Sequence, residues 1–254
     1  SLEPFVEDPF TRKPAALVLG GSDDSAALPS LIARLRDEMP GVRAAAALAL
    51  HRLEEALRSR GKGALVAAAI ARIDEPTREC VRELVTHSDH DVRISAIRLA
   101  GFAEDAGAVA VVLEAMDDPL VHEYAIEMVS KLGAAAGPTL REAAERSGDA
   151  RREHLLRLLG ALEAERVDEG TRNALAQGLS DPDDDTALAA AESLAQVGDR
   201  GAVAELYRAM AQPGRRGEAA ADALAAILRR SPHDAHGDVE LIVGTHWPDA
   251  GDLA

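Results

Sequence analysis

Aromatic residues are nearly missing from this sequence: it has one Trp, two Tyr and three Phe in 254 residues. A core almost without rings must be assembled from Ala, Leu, Val and Ile, and alanine alone is about a fifth of the chain. Alanine loses no side-chain entropy on entering a helix, so the composition points to closely packed helices with short side chains. Cysteine is scarcer still. Cys80, the sole one, excludes an intramolecular disulfide and suits a reducing, cytoplasmic compartment. It reads first as a small buried apolar residue and only second as a reactive thiol. Long apolar runs are also lacking. No stretch reaches the roughly 18 residues that a membrane helix needs, and the start shows no charged segment followed by an apolar one, so no membrane insertion by this chain is expected. Positive charge is in deficit, with 28 Lys and Arg against 44 Asp and Glu and a net charge of −16. A phosphate-binding face has to be basic, and here acids dilute the bases in nearly every segment, which argues against a nucleic-acid partner.

What the chain does have is repetition. In Asp117 to Gly133 an acidic pair and Pro119 open a helix, apolar residues recur at Val121, Ala125, Val129 and Leu132, and Gly133 closes it. The same pattern returns at Asp89 to Gly101, Asp149 to Gly160 and Asp183 to Gly198, and more faintly at Met39 to Leu53 and Glu218 to Ile227. Each copy follows another amphipathic helix after a short loop. Pairs are predicted over 26–37 with 42–58, 106–116 with 119–132, 138–145 with 150–162, 169–179 with 184–197, and 200–211 with 215–230. Short loops make the members of a pair antiparallel. Between Gly61 and Phe102 three helices stand where two are expected, so residues 61–75 read as an insertion or as half of a degenerate repeat. Asp8 to Gly20 reads as a degraded second helix with Pro14 in its first turn, as expected of a piece cut from a longer array. Asp149, Asp181 and Asp199 are placed to cap helix N-termini, where a carboxylate meets unpaired N–H groups and the helix dipole.

Aligning the second helices puts Arg12, Arg43, Arg93, His122, Arg152, Ala187 and Gly217 at one equivalent position. The steps are 31, 50, 29, 30, 35 and 30 residues, a period near 30 with one insertion of about 20. Two helices per unit at this period mean an all-α solenoid, a superhelix of antiparallel helix pairs. The array is expected over 3–230, with six or seven repeats, the first truncated, and 231–254 as a tail or cap. Asp89-His90-Asp91-Val92-Arg93, the Ala-Ile-x-Leu-x-Gly pattern at 96–101, and Ala190 to Asp199 resemble the HEAT-repeat family, in particular the short bacterial HEAT-like repeats related to those of phycobilin lyases. The resemblance implies that the recurring arginine pairs with aspartates of neighbouring turns as a structural ladder, weaker where Ala187 and Gly217 replace it. It also implies that the second helices line a concave surface.

Positions one, two and five after the arginine site would then face that concavity. From this line the expected partner-binding residues are Arg98, Glu123, Tyr124, Glu127, Glu153, His154, Arg157 and Glu192. No catalytic, cofactor-binding or metal-binding residue is assigned. His87 to Asp91 reads as a capping loop, Asp181 to Asp185 as an acidic turn without the spacing of a calcium loop, and Gly20-Gly21-Ser22 lacks the lysine of a phosphate loop. His233 to Asp238 is a second imidazole and carboxylate cluster, in the tail that also holds Trp247. The expected function is a non-catalytic protein-interaction scaffold or regulatory module whose acid-rich lining favours a basic or amphipathic segment. The family resemblance leaves a bilin-lyase-type enzyme or tetrapyrrole binder as the alternative. A nucleic-acid-binding array comes after it, because of the charge.

Overall fold

The computed structural model describes residues 11–22, 24–162 and 167–230, and all regular structure among them is helical. The array divides into two compact units, Ser1–Leu132 and Gly133–Ala254. The clusters at His233 to Asp238 and around Trp247 lie outside the described residues.

The first unit opens with α1 (Arg12–Gly20), in which Pro14 is the third residue, where the backbone N–H has no helical partner to lose. A 3-10 turn at Ser25–Ala27 leads into α2 (Leu28–Arg34), followed by α3 (Pro40–Arg58), α4 (Ala64–Ile70), α5 (Glu75–Leu84) and α6 (His90–Phe102). A further 3-10 turn, Ala106–Ala108, precedes α7 (Val109–Ala115), and α8 (His122–Leu132) ends the unit. The second unit holds a 3-10 turn at Gly133–Ala136, α9 (Gly137–Arg146), α10 (Asp149–Gly160), α11 (Glu169–Gly178), α12 (Asp184–Val197), a 3-10 turn at Arg200–Ala202, α13 (Val203–Ala209) and α14 (Arg215–Arg230).

Within each unit the helices pair as the sequence predicts, and second helices stack on second helices: α1 on α3, α3 on α6 and α6 on α8, then α10 on α12 and α12 on α14. This is solenoid packing, in which each pair hides an apolar face it cannot bury alone. The core is aliphatic, with Leu31, Leu50, Leu53, Ile97 and Met128 in the first unit and Leu140, Leu155, Leu159 and Leu175 in the second. Among the described residues no aromatic side chain is fully buried. One expected boundary moves. Helix α8 begins at His122 and not at Pro119, because the Asp118 carboxylate accepts from Leu120 N (2.9 Å) and holds Pro119 and Leu120 in a turn. Val121, Ala125, Val129 and Leu132 are all buried, as their spacing predicts.

The recurring position is real in three dimensions. Arg43 donates to Asp37 O, Arg93 to His87 O, and His122 Nδ1 lies 3.1 Å from Met116 O, each time six residues back along the chain. Eight residues after the recurring position comes a glycine in three repeats, Gly20, Gly101 and Gly160. Each faces the residue six after the recurring position of the next second helix: Ala49, Met128 and Ser193. A Cβ on Gly20 would stand 2.5 Å from Ala49 Cα, and one on Gly160 2.4 Å from Ser193 Cβ, so bare glycine sets how closely α1 meets α3 and α10 meets α12. At the insertion the corresponding residue is His51, and α4 packs there against both α3 and α6.

Candidate functional site

Two ladders of ion pairs hold the repeats in register. The second-helix ladder runs from Arg12 to Asp37 (3.1 Å), from Arg43 to Glu83 (3.0 Å), from Arg93 to Asp118, and from Arg152 to Asp181 (3.0 Å). Asp37 is enclosed: its side chain is fully covered, also receives Arg34 (3.4 Å), and caps Met39 N (3.0 Å). The first-helix ladder runs from Arg36 to Asp74 (3.1 Å), Arg82 to Asp105 through two contacts of 2.7 and 2.8 Å, Arg141 to Asp168 (2.6 Å) and Arg172 to Asp199 (2.8 Å). These four aspartates also accept a backbone N–H at the start of the next first helix. Sequence reasoning missed this second ladder. Its signal is legible in retrospect, as an aspartate opening four of the first helices with an arginine one repeat earlier.

The capping expectations hold in part. Asp199 caps Gly201 N. Asp181 accepts from Asp183 N and receives Arg152, while the cap of α12 is Asp183, which accepts from Thr186 N (2.8 Å). Asp149 is already inside α10, whose capping position is Gly148. The Thr186 hydroxyl (2.7 Å) and then its N–H hold the Asp183 carboxyl below the usual carboxylate range, and the Leu120 N–H, helped by Arg93, does the same for Asp118. In the loop 87–91, Asp89 caps Asp91 N and the His87 and Ser88 carbonyls accept from Arg93, so these residues serve the turn.

The residues expected to line the partner surface fall into two sets. In the first unit, Tyr124 is half-buried on α8, Glu123 is exposed beside it, and Glu127 pairs with Lys131 at 2.7 Å, which holds its carboxyl below the usual range. Arg98 is directed at Glu54 (3.1 Å), a carboxylate whose side chain is only 6% exposed. It also lies 6.0 Å from the Phe102 ring, with Lys131 5.2 Å from the same ring. In the second unit, Arg157 bridges Glu153 on its own helix (3.1 Å) and Glu192 on α12. Burial works against the Arg157 charge, yet the two carboxylates together raise its pKa. His154 is half-buried one turn away. Three of the four expected residues of the second unit are thus tied to one another, two carboxylates sharing one guanidinium.

Two clefts open on the first unit, and Tyr124 borders both. One, of about 220 Å³, lies between α3, α6 and α8, and its lining includes His51, Arg52, Glu55, Asp91, Ile94 and Tyr124. His51 stands where three other repeats have glycine, which puts an imidazole in the lining of this cleft. Burial lowers its pKa, while Glu55, 3.3 Å from Nε2, pulls the other way. The second cleft, of about 350 Å³, sits at the turn between α7 and α8, with Met116, Pro119, Leu120 and Tyr124 as its apolar side and Asp117 and Glu123 at its rim. Among the described residues no three His, Cys, Asp or Glu side chains converge as metal ligands would, and no helix is long and apolar enough to cross a membrane.

No family model and no curated protein matches the chain. Solved structures that resemble it include human deoxyhypusine hydroxylase in complex with glycerol (19% identity, 88% of this chain and 82% of that one, TM-score 0.42). An engineered protein follows at 19% identity, 90% and 95% coverage and TM-score 0.40. The complex of CpcE and CpcF of phycocyanin lyase from Nostoc follows at 18% identity, 94% and 91% coverage and TM-score 0.36. Likeness at this level carries no argument about what this chain does.

Proposed function

We propose that the chain is a HEAT-like protein-interaction module that holds a partner on the second-helix face of its first unit. The observation that supports this reading is Tyr124: a half-buried ring, in a chain nearly devoid of rings, bordering two clefts among mixed apolar and charged side chains. Aromatic anchors in such settings supply a large share of binding energy at interfaces. The surrounding carboxylates favour a partner segment that is basic or amphipathic. The titratable groups that are most strongly engaged, on the two ladders and at the helix caps, bind neighbouring repeats together, which is a structural task.

The test is affinity capture with the full chain against two folded variants, Tyr124→Ala and Ile94→Ser. A partner held by the wild type and released by both variants supports the reading. A partner held equally by all three refutes the assignment of this face.

A further inference from the structure

Resting on that reading, we infer that the turn between α7 and α8 is the specific docking point, and that its occupant is a short partner segment in which a large apolar residue is flanked by arginine or lysine. Leu120 is the most exposed large apolar side chain of the described residues, at 59%. It is not a helix residue left on a solvated face by chance. The Asp118 carboxylate, fixed by Arg93, accepts from Leu120 N and so holds the turn that presents this side chain. His122 Nδ1 at Met116 O ties the other end of the turn. Tyr124 and Pro119 complete an apolar wall around about 350 Å³.

The charge around this wall decides the occupant. Along the expected acidic line, Glu127 is ion-paired with Lys131, and Glu153 and Glu192 are both ion-paired with Arg157. Glu123 differs: among the described residues no basic side chain pairs with it, whereas Asp117 and His122, which line the same cleft, are engaged elsewhere. An unmatched carboxylate beside a presented leucine complements an apolar residue next to a cation, whose aliphatic stem can lie on Tyr124 and Pro119. Such a segment would bind as a short anchor and not as a long strand, because this cleft is confined to residues 116–124.

The probe is a fluorescein-labelled nine-residue peptide with one leucine between two pairs of arginines, titrated with the full chain by fluorescence anisotropy at low salt. The expected result is saturable binding that weakens about fivefold or more with Leu120→Ser, with Glu123→Lys, and with the leucine of the peptide replaced by alanine. Both protein positions are exposed, and circular dichroism of the variants checks that the fold is kept. Equal binding by Glu123→Lys, or equal binding of the alanine peptide, would overturn the inference, the latter by reducing it to attraction to net charge. So would a peptide that does not bind, or self-association in sedimentation that Leu120→Ser abolishes, which would make a second copy the occupant. The two claims fail separately. Loss of a captured partner in Ile94→Ser together with peptide binding indifferent to Leu120 and Glu123 leaves the face and removes the turn.

Discussion

From the recurring position the first unit links its turns forward, and the second unit adds backward links. In the first, arginines of the second helices reach forward to the next turn: Arg12 to Asp37, Arg43 to Glu83, Arg93 to Asp118. The second begins alike with Arg152 and Asp181, and then the recurring position becomes Ala187 and Gly217. There the link runs backward. Arg216 donates to Asp184 (2.5 Å) and Pro182 O, and Arg230 donates to the Ala195 and Gly198 carbonyls at the far end of α12. Gly217 has a steric reason: a Cβ there would stand 2.3 Å from Gln212 O, in space that the loop backbone takes up. Register between neighbouring repeats therefore needs a cation bridging two turns, and either partner can provide it. The units also differ on the exposed face, where the second ties both Glu153 and Glu192 to Arg157 and the first leaves Glu123 without an ion-pair partner beside Leu120.

The sharpest way to break the forward ladder is Asp37→Ala. It strips the partner from Arg34, one of two carboxylates from Arg12, which keeps Glu38 (2.8 Å), and the cap from Met39 at a covered site, and should cost about 3 kcal/mol. Urea unfolding gives the total, and hydrogen exchange should localise the loss to the first unit. Next in size is a contrast of sign at one equivalent position. Gly160→Ala forces a Cβ onto Ser193 and should destabilise by about 2 kcal/mol. Gly101→Ala meets only the flexible Met128 at 3.4 Å, and the gain in helix propensity, up to about 1 kcal/mol, should leave it neutral or stabilised.

Arg216→Ala, which removes one of the two backward links and leaves that of Arg230, should cost less than about 1 kcal/mol, since Asp184 is exposed. Its exchange signature belongs to α12 and α14. Acid should separate the units more gently. Burial lowers the pKa of His51, so the folded chain holds that proton more weakly than the unfolded chain. Its contribution is full above the unfolded value of about 6.5 and fades as the pH falls from there towards the folded value. Asp118 and Asp183, both lowered, keep their contribution until the pH drops below about 3.9. The first unit should therefore begin to soften at milder acidity, and His51→Gln should remove that early phase from a pH titration of unfolding.

Helix positions and pairing were legible because apolar spacing and Asp, Pro and Gly punctuation are local signals. Asp184–Val197 and Arg215–Arg230 fall where the sequence puts them, and the extra helix at the insertion is there as α4. The forward ladder was legible through a resemblance and is borne out in Arg12, Arg93 and Arg152. What stayed hidden depends on packing between repeats. The division at Leu132 leaves no composition signal. Arg98 reads as a groove residue in sequence, whereas Glu54, an ordinary helix residue in a polar run, draws it aside. Leu120 was hidden because it reads as the first turn of a helix, and only the Asp118 turn shows it outside the helix and exposed.

The measurement that tests the central claim most directly is the affinity of the captured partner for two charge variants of the full chain. One is Glu123→Lys in the first unit, and the other is the pair Glu153→Gln and Glu192→Gln in the second. Loss of at least about tenfold in the first, with the second within about twofold of wild type, is the predicted result. The reverse order would contradict the account and move the partner to α10 and α12.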